Sequence, residues 1–337
     1  VENLLKTETD HNCLETPMAT ADDLRDLVTI RDWLRYAVSR FNAADIAYGH
    51  GTDRALDEAA FLILSALSLD IDELDPWLEA RLTLEERGRL AGLIDARVER
   101  RLPAPYLVGA AYIRGHRFKS DARAIVPRSF IGELLCDRIE EGEEHFPPLP
   151  AEGVISRVLD ICTGGGSLAV LAAMAFPDAV IDAVDISPPA LALARENVEA
   201  HRLGDRIRLL AGDLFQPVDG AQYDLIISNP PYVTDAAMDV FPPEHRAEPE
   251  LAHRGGSDGL TVVRRLLADA GKHLAPGGQI VIEAGDARAA MEASFPDLPL
   301  VWVETRSSSG EVFALPASAI RSATAIAGRP AGRRRRV

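Results

Sequence analysis

The sequence predicts an α/β protein: a seven-stranded, mostly parallel, doubly wound sheet ending in a hairpin, preceded by a small helical domain. Three observations predict it. From Ile155 onward, short apolar runs alternate with helical stretches, the texture of an open sheet covered on both faces. From Asp22 to about Arg101, apolar residues recur at three- and four-residue steps, the period of helix faces. Ser307, Ser308, Ser309 and Gly310 join the last two apolar runs as a turn would.

Taken in order, residues 1–21 show no period and read as a flexible extension. In the helical domain, residues 22–103, a first helix carries Leu27, Ile30, Trp33, Leu34, Ala37, Val38 and Phe41 on one face. A second carries Ala59, Leu62, Ile63, Ala66 and Leu67 behind Thr52 and Asp53 as caps. A third, roughly Leu84 to Arg101, stops before Pro103, whose ring cannot continue a helix. Residues 104–128 form a hairpin linker, alternating from Tyr106 to Val126 around Gly109, Gly115 and Asp121 and closing on VPRSFIGELL, Val126 to Leu135. Glu140 to Gly153 is charged, then Pro-rich, and reads as a surface connection. In the sheet domain, residues 129–317, strands are expected at Ser156–Ile161, Val180–Val184, Ile207–Leu210, Asp224–Ser228, Gln279–Glu283, Leu300–Glu304 and Val312–Leu315. Residues 318–337 are expected to be a disordered Arg-rich tail.

Composition narrows the function. With 337 residues and 47% hydrophobic content, the chain can bury a sizeable core. It has neither a run of about 18 apolar residues nor a signal-like start, so a cytoplasmic protein without a membrane partner is expected. Cys13, Cys136 and Cys162 have no zinc-ligand or disulfide-framework spacing, and no metal is expected. A net charge of −16 repels a phosphate backbone and favours a basic protein partner, so nucleic acid is not required. The cluster Arg333 to Arg336 reads as a solvated tail before it reads as an RNA contact.

The chemistry concentrates at strand ends. Asp160-Ile161-Cys162-Thr163-Gly164-Gly165-Gly166-Ser167 turns from the first strand into an apolar helix, where glycines allow a ligand close to the backbone and the helix start favours an anionic group. The turn is neither GxGxxG nor GK[ST], which argues against a pyrophosphate or triphosphate. Asp160 could orient water or an ammonium group; Asp185, 21 positions after Gly164, could accept ribose hydroxyls; Asp213 could receive an adenine amino group. Singly, each Asp reads equally well as a cap or turn residue. At the ends of three successive strands they favour an adenosyl ligand.

Asn229-Pro230-Pro231-Tyr232 follows the fourth strand. It reads first as a rigid turn, and the same rigidity would hold the Asn229 side-chain oxygen and the Pro230 carbonyl as two fixed acceptors for a planar NH₂, with Tyr232 as an aromatic face. An amide nitrogen is hardly nucleophilic, and two acceptors both increase its electron density and aim it. None of the eight histidines stands at a spacing that marks nucleophilic catalysis.

DICTGGGS and NPPY resemble the class I S-adenosylmethionine-dependent methyltransferases that modify amide or exocyclic amino nitrogens. The span from about Asp22 to Leu315 resembles the bacterial protein-glutamine methyltransferases related to the release-factor enzyme. The ribosomal branch, acting on large-subunit ribosomal protein L-three, is the most similar, through RYAVSRFNAADIAYGHGTDRALDEA, RLPAPYL, VPRSFIGEL and EHRAEPELAHRGGSDGL. The resemblance implies S-adenosylmethionine as cofactor and S-adenosylhomocysteine as product. It implies a cofactor site at Asp160, Thr163, Gly164, Gly165, Gly166, Asp185, Ile186, Asp213, Leu214 and Asn229. Asn229, Pro230, Pro231 and Tyr232 would form the catalytic motif, and the helical domain would serve substrate recognition. TGGGS stands where relatives usually have TGSGC. A release factor as substrate, or an adenine amino group in DNA or RNA, are the alternatives; charge disfavours the latter. Glu244, Glu248 and Glu250 are expected to face the basic substrate.

Overall fold

The computed structural model describes residues 23–142, 146–148, 153–308 and 310–327. The expected extension at 1–21 and the cluster Arg333 to Arg336 lie outside them. The chain divides into two compact units: residues up to 46 with 53–102, and residues 47–52 with 103 onward.

The first unit contains α1 (Asp23–Asp26), α2 (Ile30–Ala43), α3 (Ala55–Ala66) and α4 (Leu84–Glu99). Thr29 and Thr83 start α2 and α4 with reciprocal capping boxes, Thr29 with Asp32 and Thr83 with Glu86, each satisfying two otherwise unpaired backbone donors. The α2 stripe packs as its period requires: Ile30, Trp33, Ala37 and Phe41 are buried, and the Trp33 indole donates to the Leu27 carbonyl at 3.0 Å. Thr52 and Asp53 do not cap α3. Its N-cap is Arg54, without a side-chain cap bond, and the Thr52 carbonyl accepts the Gly49 N–H in a turn of the second unit.

The second unit opens with α5 (Ala104–Val108), the hairpin β1 (Ala110–Ile113) and β2 (His116–Lys119), and α6 (Phe130–Glu141). Alternation follows: β3 (Arg157–Ile161), α7 (Ser167–Ala175), β4 (Val180–Asp185), α8 (Pro188–Ala200), β5 (Ile207–Ala211) and β6 (Tyr223–Ser228). Beyond β6 the chain forms β7 (Val233–Thr234), α9 (Asp235–Asp239) and β8 (Arg254–Gly256). The sheet resumes with α10 (Thr261–His273), β9 (Leu274–Glu283), α11 (Arg288–Ser294), β10 (Val301–Val303), β11 (Val312–Pro316) and α12 (Ala317–Ala327).

The large sheet has seven strands in the order β10-β11-β9-β6-β3-β4-β5. It is parallel except for β11, which runs antiparallel to β9 and β10. Its alternation buries both faces: Val158, Leu225, Ile227 and Val281 pack towards α6 and α7, and Leu159, Ile226, Ile280 and Ile282 towards α10 and α12. This is the class I S-adenosylmethionine-dependent methyltransferase fold. Strand order reverses at β3, with β4 on one side and β6 on the other, so the carboxyl ends of these strands border the crevice where such sheets bind ligands.

Other features also depart from the sequence reading, among them α5, helical from Ala104 to Val108 where the linker was expected to alternate from Tyr106. The small parallel pair β7–β8 was not expected. The disordered tail expected from residue 318 is corrected over residues 318–327: α12 packs with buried Ile320, and Arg321 donates to the carbonyls of Gly271 and Leu274. Burying that apolar face against α10 and β9 is what a solvated tail would forgo.

Candidate active site

A cavity of about 400 Å³ opens at the carboxyl ends of β3, β4 and β6, within the usual range of small-molecule sites. Asp185, at the end of β4, lies on its wall. One carboxylate oxygen accepts the Gly164 N–H and the other the Ser187 N–H, both at 2.8 Å, leaving further lone pairs on each. Burial raises its pKa, against the lowering effect of those donors. Gly164, at φ +55°, has open space where a Cβ would stand, so its backbone can meet a ligand directly.

The rest of the glycine turn lies behind that wall. Asp160 is fully buried and does not line the cavity. One of its oxygens accepts the Thr163 hydroxyl, and burial pushes its pKa up to about 7. Thr163, Gly165 and Gly166 are likewise absent from the wall. A Cβ on Gly166 would stand 3.0 Å from that of Ala194, and the Gly165 carbonyl accepts the Asn197 amide at 2.8 Å, so these two residues let α8 approach the turn. Asp160, Thr163, Gly165 and Gly166, expected in the cofactor site, thus stand behind the cavity wall and support the turn. Ile186 and Leu214 line the cavity. So does Asp213, whose carboxylate is paired with Arg265 of α10 at 2.6 Å.

Asn229, Pro230, Pro231 and Tyr232 continue along the same wall. The Asn229 Nδ2 donates to the Arg128 carbonyl at 3.3 Å, which leaves Oδ1 as the free end of the amide. A Cβ on Gly285 would collide with the Tyr232 ring, so this glycine makes the ring's position available. The Tyr232 hydroxyl lies 3.4 Å from Glu283 Oε1, and Glu283 Oε2 accepts the Ser129 hydroxyl at 2.6 Å and the Phe130 N–H at 2.9 Å. Burial pushes the Glu283 pKa up to about 7 despite these donors.

Several contacts of the site escaped the sequence reading. Glu248 is buried, accepts both terminal nitrogens of Arg128 at 2.9 and 2.8 Å and lies between the imidazoles of His50 and His253. Burial works to raise its pKa, but the imidazoles and the Arg128 guanidinium outweigh it and hold the carboxyl far below the usual range. His245, on the wall, is lowered to about 4 by burial and by the neighbouring His50 and Arg128. The expectation that Glu244 and Glu248 face a partner is therefore corrected. Both are buried, with Glu244 accepting the Ala47 N–H; only Glu250 is exposed, and it pairs with Arg254. A signal existed for Glu283, a fourth strand-end carboxylate of the same kind as Asp185. None existed for the histidines, which converge from separate segments.

The methyltransferase small domain model matches residues 144–241. A ribosomal protein uL3 glutamine methyltransferase from Bordetella pertussis is 50% identical over 291 residues, covering 86% of this chain and 96% of that protein. The chain belongs to the ribosomal protein uL3 glutamine methyltransferase family. Members from Bradyrhizobium diazoefficiens and Xanthomonas campestris are 50% and 43% identical, covering 87% and 88% of this chain and 92% and 93% of theirs. Among solved structures, a methyltransferase from Pyrococcus furiosus is similar at a TM-score of 0.42 and 16% identity over 70% of this chain and 99% of that one, too distant to add to the assignment. As a family member, the chain is an S-adenosylmethionine-dependent methyltransferase. The cavity fits that cofactor: Asp185 is a carboxylate suited to ribose hydroxyls, Gly164 exposes its backbone, and Ile161, Val184, Ile186, Leu214 and Val262 form apolar walls for a nucleobase.

Proposed function

We propose that this enzyme methylates the side-chain amide nitrogen of a glutamine in ribosomal protein uL3, in the cytoplasm. The observation that carries the reading is the Asn229 amide, held by the Arg128 carbonyl with Oδ1 free, on the same wall as Asp185 and Tyr232. S-adenosylmethionine, when bound, supplies a sulfonium-activated methyl group. Asp185 holds its ribose and Gly164 its amino-acid portion, while Asp213 and Leu214 border the adenine. Asn229 Oδ1 and the Pro230 carbonyl accept the two N–H groups of the substrate amide, and Tyr232 supports its plane. Drawing both donors into fixed acceptors raises electron density on nitrogen and limits it to one approach.

The remaining assignments rest on charge and organisation. A chain of net charge −16 suits a basic ribosomal protein better than the RNA it binds. Among the described residues no helix is long and apolar enough to cross a membrane. The helical unit is assigned to substrate recognition and the unit containing the cavity to transfer.

The test is Asn229→Ala, assayed by mass spectrometry of uL3 for methylglutamine and by calorimetry with S-adenosylhomocysteine. Turnover should fall at least about 100-fold, the scale of losing one transition-state hydrogen-bonding group, while cofactor affinity changes severalfold at most. Equal losses in both would reduce Asn229 to a cofactor contact.

A further inference from the structure

Asn229 can be an acceptor only if its amide is the right way round, because a flipped amide would present NH₂ to the substrate's own NH₂. The Arg128 carbonyl selects the orientation, since it accepts and cannot donate. Residues 125–128, which carry that carbonyl, have no helix or strand hydrogen bonds to locate them, and Pro127 has no N–H; the first helical bond of α6 begins only at the Ser129 carbonyl.

What locates this segment is a pair of buried glutamates, one on each side of the carbonyl. Glu283, at the end of β9, holds Ser129 and Phe130. Glu248, in the segment between β7 and β8, holds the other side. Its Oε1 accepts the Val126 N–H at 2.8 Å and Arg128 Nη1 at 2.9 Å, and its Oε2 accepts Arg128 Nη2 at 2.8 Å. Arg128 is thus bound to Glu248 through its side chain and to Asn229 through its main chain. A two-toothed guanidinium–carboxylate contact fixes orientation as well as distance. The carboxylate has no side-chain exposure, so water cannot replace it.

We propose that Glu248 is a positioning residue for the methyl acceptor: by clamping Arg128 and the Val126 N–H, it sets the carbonyl that keeps Asn229 Oδ1 turned towards the substrate amide. The role rests on the glutamine-methylation reading above. Glu248 itself touches no reacting atom, so its loss acts on kcat through Asn229 and leaves the cofactor, held at Asp185 and Gly164, in place.

The experiment compares the wild type with Glu248→Gln, Arg128→Met and the double variant, on purified uL3, measuring kcat, KM and the Kd for S-adenosylhomocysteine. Either single change should lower kcat by about 10- to 100-fold, the usual scale for a residue that orients a functional group through another. The Kd should stay within about twofold, and the double variant should be no slower than the slower single one, because both act through the same carbonyl. Multiplying losses, an unchanged kcat, or a cofactor Kd that weakens in step with kcat would each overturn the proposal. Should Glu248→Gln fail to fold, Arg128→Met decides alone: its side chain is 30% exposed and its removal leaves Glu248 with the Val126 N–H, so an unchanged kcat there is equally fatal. A wild-type enzyme that methylates no glutamine of uL3 overturns the functional reading together with this one. Full activity in the wild type and in both variants overturns the positioning role alone.

Discussion

Replacing Glu283 by Gln should change how the protein's stability depends on pH. The carboxyl is 2% exposed, and its pKa rises from 4.5 in the unfolded chain to about 7 in the fold. Between those values the folded protein keeps a proton that the unfolded chain releases. The stabilisation is therefore complete below pH 4.5 and is lost as pH rises through about 7. At 1.36 kcal/mol per pKa unit, the loss reaches about 3 kcal/mol. Glutamine has no proton to lose, its oxygen can still accept from Ser129 and Phe130, and its NH₂ can face the Tyr232 hydroxyl. Urea denaturation of both proteins from pH 4.5 to 8 should give nearly equal stabilities at the acid end and a variant more stable by up to about 3 kcal/mol at pH 8. Asp160, also raised to about 7, is common to both proteins, so their difference isolates Glu283. A difference that stays constant across the pH range would refute the reasoning.

Asp185→Ala should weaken S-adenosylhomocysteine binding by about 1 to 3 kcal/mol, the range for hydrogen bonds to a charged group, and calorimetry would show unchanged affinity if the ribose assignment were wrong. Gly285→Ala should displace the Tyr232 ring and strain a residue at φ +51°, lowering turnover more than thermal stability; parallel losses in the two would mean that the glycine serves only the fold. In the helical unit, Glu58→Ala removes the carboxylate that accepts the buried Arg97 guanidinium at 2.6 Å. It should cost about 3 to 5 kcal/mol by chemical denaturation, whereas replacing both residues by apolar ones should cost clearly less.

The elements built from local patterns were legible. The strands at Val180, Ile207 and Val312 begin where the apolar runs begin, and the α2 stripe is buried because a period of 3.6 leaves it only one face to bury. Asp185 and the stretch from Asn229 to Tyr232 were legible as candidate wall residues because a strand's carboxyl end is a local position, readable from the residues before it. Position alone did not separate Asp185 from Asp160. Both end a strand, but in β3 alternation turns Leu159 and Ile161 towards α10 while Asp160 stays buried behind the turn, its hydroxyl donor Thr163 beside it. Only the tertiary structure decided that Gly166 makes room for α8, since nothing in TGGGS says whether a ligand or a helix approaches it. The same holds for Glu248 and Glu283, which lie 120 and 153 residues from the partners they hold at Arg128 and Phe130. The sequence by itself determined the sheet, its crevice and the Asn229 to Tyr232 stretch at its edge, because hydrophobic period and proline stiffness act over a few residues. Which carboxylates are buried, which histidines converge and which way the Asn229 amide points depended on chain segments that meet only after folding, where desolvation and long-range hydrogen bonds take effect.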